Sequence, residues 1–286
     1  MHRIVPLFAA SFLAAASPAF AQDGGSQANN GQFDVGGDSV TIGGAAAYVP
    51  DYEGSDHYRL VPGPAALGSI SGFSFSVVGN RASVDLIPNK PGPGIDFQLG
   101  PVAVINFDRT NHKSIDDPSV AALPERNTAI ELGGYIGIGK TGVITSPYDK
   151  LSVSVSYRHD VSGVHDSGIW QPSVNYLTPL SPKAAIALFA SAQHVERGYA
   201  QTYFGITPDD AIASGLPIYN ARGGWKNYTL GAAVTYSLTG NLLHGLKVVA
   251  GGTYSRLLNG FSYSPVTRVA GSPNQWLGAV GLAYTF

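Results

Sequence analysis

The sequence predicts an all-β chain: a transmembrane antiparallel β-barrel of about twelve strands with both termini in the periplasm. Three observations predict it. Apolar and polar side chains alternate with a period of two over long segments, many of about ten residues, the length that a tilted strand needs to cross a bilayer. The connections between those segments alternate between short turns and long loops. And only 13% of the 286 residues are charged although 44% are hydrophobic, with 36 glycines, 15 tyrosines and no cysteine.

Composition excludes several classes. Seventeen Lys+Arg stand against 19 Asp+Glu, a net charge of −2 without basic clusters, so neither nucleic acid nor nucleotide is an expected partner. Abundant aliphatic and aromatic residues with little charge argue against disorder. Zero cysteine excludes a disulfide scaffold and a Cys-ligated zinc or iron–sulfur site.

The elements begin with a targeting segment. His2 and Arg3, the apolar run 4–16 and Ala19-Phe20-Ala21 make the three parts of a signal peptide, so residues 1–21 are expected to be cleaved on export. The apolar run is shorter than the ~20 residues of a membrane-spanning helix. Residues 22–38 are polar and Gly/Asn-rich and are expected to form a flexible periplasmic lead-in to a barrel over 39–286.

The first strand is expected over 39–48 and the second over 58–66, where Pro62 and Pro64 interrupt the pattern. The third and fourth, 72–78 and 81–87, meet at Gly79-Asn80 in a tight hairpin. The fifth and sixth cover 94–107 and 129–139. In the seventh, 150–158, Leu151, Val153, Val155 and Tyr157 alternate with Ser152, Ser154, Ser156 and Arg158. The eighth and ninth follow over 168–177 and 184–195. The tenth, 227–238, sets Tyr228, Leu230, Val234, Tyr236 and Leu238 on one face. After the eleventh, 246–255, the twelfth (275–286) aligns Trp276, Gly278, Val280, Leu282, Tyr284 and Phe286.

Short connections are expected at 68–71, 88–93, 140–150, 178–183 and 240–245. Long ones are expected at 50–57, 108–127, 159–167, 196–226 and 256–274. Short inside and long outside is the barrel arrangement, and a soluble sandwich gives no reason for it. Tyr48, Phe107, Tyr157, Tyr176, Tyr228, Tyr254, Trp276 and Phe286 sit at segment ends, where interfacial belts place aromatic rings. Phe286, closing an amphipathic last strand, resembles the assembly signal of outer-membrane barrels. Arg81, Asp85, Asp96, Gln98, Glu131, Arg158 and Lys247 fall opposite the large apolar residues and are expected to face the lumen. An Arg or Lys facing lipid at mid-membrane would cost ~2–4 kcal/mol.

Several motifs imitate chemistry. Residues 134–141 fit the phosphate-loop pattern GxxxxGK[ST], but the loop works at a helix N-terminus, and here Pro147 and another strand follow. Those glycines are expected to line the lumen and open a turn. His159-Asp160 and His165-Asp166 share one loop without a third ligand at fixed spacing, so no metal is expected. No GxSxG elbow supports a Ser–His hydrolase, and residues 51–57 lack calcium-loop spacing. No catalytic residue and no cofactor is expected.

Three segments carry a family resemblance. The first is Val49-Pro50-Asp51-Tyr52-Glu53-Gly54-Ser55-Asp56. The second is Tyr203-Phe204-Gly205-Ile206-Thr207 with Ala211, Ala213-Ser214-Gly215-Leu216-Pro217-Ile218-Tyr219 and Gly223-Gly224. The third is Tyr254-Ser255-Arg256-Leu257-Leu258 with Ser264-Pro265-Val266. In this order they resemble the MipA/OmpV outer-membrane family. Residues 259–263 depart from it, being less acidic. The resemblance implies a Gram-negative outer-membrane barrel in contact with lipid and lipopolysaccharide. It also implies a scaffolding role beside a lytic transglycosylase and a murein synthase. Two other readings stand beside this one: a passive channel for small solutes, and a surface adhesin or lipid hydrolase. The scaffold reading expects the 196–226 loop to plug the lumen; the channel reading expects ion conductance sensitive to Arg158 and Glu131.

Overall fold

A computed structural model describes residues 38–89 and 94–286. The signal peptide 1–21, nearly all of the lead-in 22–38 and part of the 88–93 connection lie outside the described residues. Among the described residues, twelve antiparallel strands close into one barrel. They are β1 (Ser39–Pro50), β2 (Tyr58–Ile70), β3 (Phe73–Val78), β4 (Arg81–Val84), β5 (Ile95–Asn106), β6 (Ala129–Thr141), β7 (Lys150–Asp160), β8 (Gly168–Ser181), β9 (Ala184–Val195), β10 (Gly224–Ser237), β11 (Gly245–Leu257) and β12 (Asn274–Thr285). Each strand pairs with its sequence neighbours, and β1 pairs with β12 from Thr41↔Thr285 to Tyr48↔Gly278 to close the wall.

The alternation read from sequence is the pattern of the wall. Ile42, Leu99, Ile136, Val153, Leu230, Val280 and Leu282 point outward and are exposed. Ser152, Ser154, Ser156, Gln171, Ser173 and Thr229 point inward and are buried. A bilayer inverts the usual arrangement: apolar side chains turn to hydrocarbon and polar ones gather inside. Tyr48–Tyr58, Tyr157–Trp170 and Tyr254–Trp276 make ring contacts at 5.2, 4.7 and 4.8 Å near the long-loop rim. Tyr284 and Phe286 pair at 4.8 Å at the opposite rim. The Phe286 amide donates to the Val40 carbonyl at 2.9 Å.

The structure differs from the expectation in several places: β2 and β8 each run four residues further, to Ile70 and Ser181. β4 ends at Val84, so Asp85 lies beyond the strand and holds backbone instead: its carboxylate accepts from the amides of Ile87 and Leu99 at 3.1 and 3.2 Å. β10 begins at Gly224, three residues early, because a bulge between Trp225 and Asn227 absorbs an extra residue. The long loops also carry short helices: α1 (Pro118–Ala121), α2 (Arg197–Phe204), α3 (Pro208–Ser214), α4 (Asn259–Tyr263) and α5 (Pro265–Arg268). Short helices satisfy backbone groups that an irregular segment buried in a barrel mouth would leave unpaired. The phosphate-loop imitation lies in β6 and runs out into a turn at Gly142 (φ +73).

Both described ends of the chain and the short turns share one rim; the helices occupy the other. At the short-turn rim, the Asp149 carboxylate accepts from the amides of Val143, Ile144 and Thr145 at 2.6, 2.8 and 2.5 Å, and from the Tyr176 hydroxyl at 2.8 Å. Burial opposes ionisation there, but these donors hold the carboxyl well below the usual carboxylate range.

Candidate functional site

The long-loop rim holds the densest chemistry, and α2 lies at its centre. Tyr199, Ala200, Tyr203 and Phe204 sit at i, i+1, i+4 and i+5, so helical periodicity buries them together. The helix touches each of the other four long loops. The Tyr199 hydroxyl donates to Glu53 Oε2 at 2.8 Å, in the β1–β2 loop. Arg109, in the β5–β6 loop, donates to the Thr202 carbonyl at 2.6 Å. The Tyr199 amide donates to Ser167 Oγ at 2.8 Å, in the β7–β8 loop. Ser264, in the β11–β12 loop, donates to the Phe204 carbonyl at 2.7 Å. Loops rooted on several sides of the barrel meet at this one helix, which places α2 inside the long-loop mouth. Gly198 permits the approach: a Cβ there would fall 2.0 Å from the His165 carbonyl oxygen.

Two buried ion pairs lie in this cluster. Lys226 Nζ stands 2.6 Å from Glu53 Oε1, 3.1 Å from the Tyr199 hydroxyl and 4.6 Å from the Tyr199 ring centre. The β10 bulge makes this possible, because it turns both Lys226 and Asn227 inward where strict alternation would send one to lipid. The Glu53 amide donates to Asp108 Oδ1 at 3.0 Å. Burial raises the Asp108 pKa to about 6; the Glu53 charge adds to the shift and Arg109 opposes it. Burial likewise lowers the Arg109 guanidinium and raises the Tyr203 hydroxyl.

The second pair joins strands. Arg158 Nε lies 2.5 Å from Glu131 Oε2, with both side chains fully buried. His165 Nε2 lies 3.4 Å from Glu131 Oε1, and His165 Nδ1 is 2.9 Å from Ser167 Oγ. Arg158 and Arg81 both donate to Gln171 Oε1, at 2.8 and 3.0 Å, and Arg81 also reaches Ser156 Oγ at 3.3 Å. Ser167, His165 and Glu131 thus form a hydrogen-bonded series resembling a hydrolytic triad, but Gly198 of α2 closes over Ser167. Ser167 is buried in this arrangement.

The residues singled out in the sequence fall into two groups. Arg81, Asp85, Asp96, Gln98, Glu131, Arg158 and Lys247 all turn inward. Glu131 pairs with Arg158, and Asp96 pairs with Lys150 at 2.9 Å. Lys247 donates to the Leu242 carbonyl and, at 2.6 Å, to Thr285 Oγ1 near the short-turn rim. The motif segments converge in the seal. Tyr52, Ile206, Leu216 and Val266 share one buried cluster with Ile115, Val120 and Leu123. Asp51 accepts from the Asp116 amide at 2.8 Å, and the Tyr52 hydroxyl donates to the Ala270 carbonyl. Ser55 Oγ accepts from the His57 amide at 2.9 Å, and Gly54 (φ +102) turns the chain just before them. Ser214 donates to the Asp210 carbonyl at 2.6 Å, Gly215 (φ +73) caps α3, and Tyr219 donates to the Gly260 carbonyl at 2.7 Å. Gly205 ends α2.

Sequence reasoning missed Lys226, Tyr199, Asp108 and Arg109. Lys226 falls at the end of the expected 196–226 loop, and the bulge that recruits it has no sequence signature. His165 was raised only as half of a metal pair; among the described residues no three His, Asp or Glu side chains group as metal ligands.

Solved structures with a similar course share little sequence. The outer-membrane channel DcaP of Acinetobacter baumannii aligns over 87% of this chain and 96% of its own, at 8% identity and TM-score 0.37. OprD from Pseudomonas aeruginosa aligns over 87% of this chain but only 59% of its own, at 9% identity and TM-score 0.36. The Pseudomonas putida toluene transporter TodX aligns over 87% and 89%, at 8% identity and TM-score 0.35. No curated protein matches the sequence. The family model described as MltA-interacting protein MipA matches residues 42–286. With nearly the whole barrel inside that match, and a wall that is apolar outside and polar within, the chain belongs to the MipA family as an outer-membrane β-barrel protein.

Proposed function

We propose that this barrel is a sealed membrane scaffold whose short-turn rim faces the periplasm and engages peptidoglycan-remodelling enzymes, a lytic transglycosylase and a murein synthase. One observation carries the reading: α2 bonds to every other long loop, with two buried ion pairs in the same cluster. A lumen closed at one rim does not serve as a passive solute channel. The other rim, which bears the short turns and both described chain ends, remains as the working face. The description of the matching family, an MltA-interacting protein, supports a partner of the MltA class. In this orientation the helical cap faces the cell exterior and lipopolysaccharide surrounds the long-loop leaflet. Sealing of Ser167 beneath Gly198 supports a structural role over a hydrolytic one.

The test is direct binding. The refolded barrel in nanodiscs is expected to retain a purified lytic transglycosylase of the MltA class in a size-exclusion run. Free elution of both that enzyme and a murein synthase would overturn the scaffold reading.

A further inference from the structure

Among the described residues, the wall of the closed barrel carries a notch beside β2. β1 pairs with β2 along its whole length, from Ser39↔Ser69 to Pro50↔Tyr58. β3 pairs with β2 only over Ala65–Ile70, because the β3–β4 hairpin turns at Gly79-Asn80. The Gly79 amide donates to the Pro64 carbonyl, and above that bond β2 has no strand on its β3 side. Residues 58–64 therefore border a notch about 20 Å long, measured along the strand.

The residues at the notch explain how such an edge persists. The Pro64 carbonyl points toward the hairpin, so its nitrogen faces that side as well. Pro62, two residues on, faces the same way. Proline has no N–H to leave unpaired in hydrocarbon and offers none to a strand from another molecule. The two prolines that interrupt the sequence pattern thus stand where the wall has its free edge.

The notch opens toward lipid. Tyr58, stacked on Tyr48, marks the interfacial belt at its upper end. Below it Leu60, 72% exposed, and Val77 point outward on either side. On the inner side, Val78 pairs with Ala65 and Arg81 and so faces the lumen, yet it is 43% exposed. Beside the notch's lower end the inner wall is built from Gly43, Ala45, Gly63, Ala65, Gly281 and Ala283, all half-buried, while higher up Val61 packs with Ala47 and Val49 and Arg59 also turns inward. The wall of β7 and β8, by contrast, is filled with buried Ser, Arg and Gln side chains.

We propose that the notch is the mouth of a lateral binding site for one hydrocarbon chain. The hydrocarbon chain passes over the tip of the β3–β4 hairpin, beside residues 58–64 of β2, and lies along the Gly/Ala wall. Position selects this occupant: the opening lies in the lipid-facing band, so acyl chains are what meets it, and small apolar side chains leave room without offering hydrogen bonds. The site is independent of any enzyme partner at the short-turn rim.

The chain has no cysteine, so single labels can be placed cleanly. Ala65→Cys reports behind the notch, Ala233→Cys reports on the inner face of a fully paired strand, and Val234→Cys faces lipid. Each carries a bimane label in nanodiscs of dibrominated phosphatidylcholine, with heat-modifiable gel mobility confirming a folded barrel. The expected result is loss of fluorescence at Ala65 comparable to that at Val234, with Ala233 protected. Ala45→Cys repeats the test should Ala65→Cys not fold. Bromododecanoic acid added to unbrominated discs distinguishes a free chain from a lipid chain, and quenching in either arm supports the site. Labels at both inner positions quenched no more than Ala233 in both arms would overturn it.

Discussion

The Tyr199 hydroxyl donates to the Glu53 carboxylate at 2.8 Å across 146 residues of chain, and Lys226 completes the contact from the far side. Two of the long loops and a bulged strand thereby share one buried charge. Removing one member leaves the other charge uncompensated, a larger effect than the net value of the pair itself.

Lys226→Met should therefore weaken the seal by about 3–5 kcal/mol, with Glu53 left buried and unpaired. Glu53→Gln combined with Lys226→Met should cost less than Lys226→Met alone. Limited proteolysis between residues 197 and 223 of the refolded protein measures both. Equal cleavage of wild type and Lys226→Met would contradict the role given to the pair.

Asp108 makes the seal pH-dependent with a definite sign. Its folded pKa of about 6 lies above its unfolded value, so its contribution is complete below about pH 4 and is lost as pH rises through 6. The difference corresponds to about 3 kcal/mol. Amide exchange in α2 should slow as pH falls from 6.5 to 4.5, after correction for intrinsic rates. Asp108→Asn keeps an oxygen for the Glu53 amide and should remove this dependence; an unchanged pH slope in that variant would assign it elsewhere.

Gly198→Ala sets two effects against each other. Alanine favours a helix by about 1 kcal/mol over glycine. The added Cβ meets backbone, the His165 carbonyl at 2.0 Å, and overpacking of this kind costs about 1–3 kcal/mol. The clash should prevail, and α2 should become more susceptible to protease. Greater protection would mean that α2 does not press on the β7–β8 loop.

The Asp149 turn offers the opposite pH sign. Its folded pKa is depressed, so its stabilisation is present above about pH 4 and is lost as pH falls further. Asp149→Ala should release the amides of Val143, Ile144 and Thr145 to exchange at neutral pH. Exchange unchanged from wild type would contradict the hydrogen-bond assignment.

The wall was legible because lipid enforces a simple rule along each strand. Leu151 to Arg158 and Trp276 to Phe286 alternate without ambiguity, so strand, face and lumen charge follow together. The seal was less legible because its contacts are long-range. Nothing near Glu53 in sequence announces Tyr199 or Lys226, and the bulge that turns Lys226 inward is set by the register with β9. Resemblance found the segments of the cap but not their convergence. Asp85 shows the same limit: its inward face was readable, but not its preference for two backbone amides over a cation.

The central claim is that α2 closes the barrel. Conductance across a planar bilayer carrying the refolded protein at neutral pH tests it most directly. The wild-type chain should show no stepwise current, and a variant lacking residues 197–223 should conduct. Stable single-channel steps from the wild-type barrel would contradict the account.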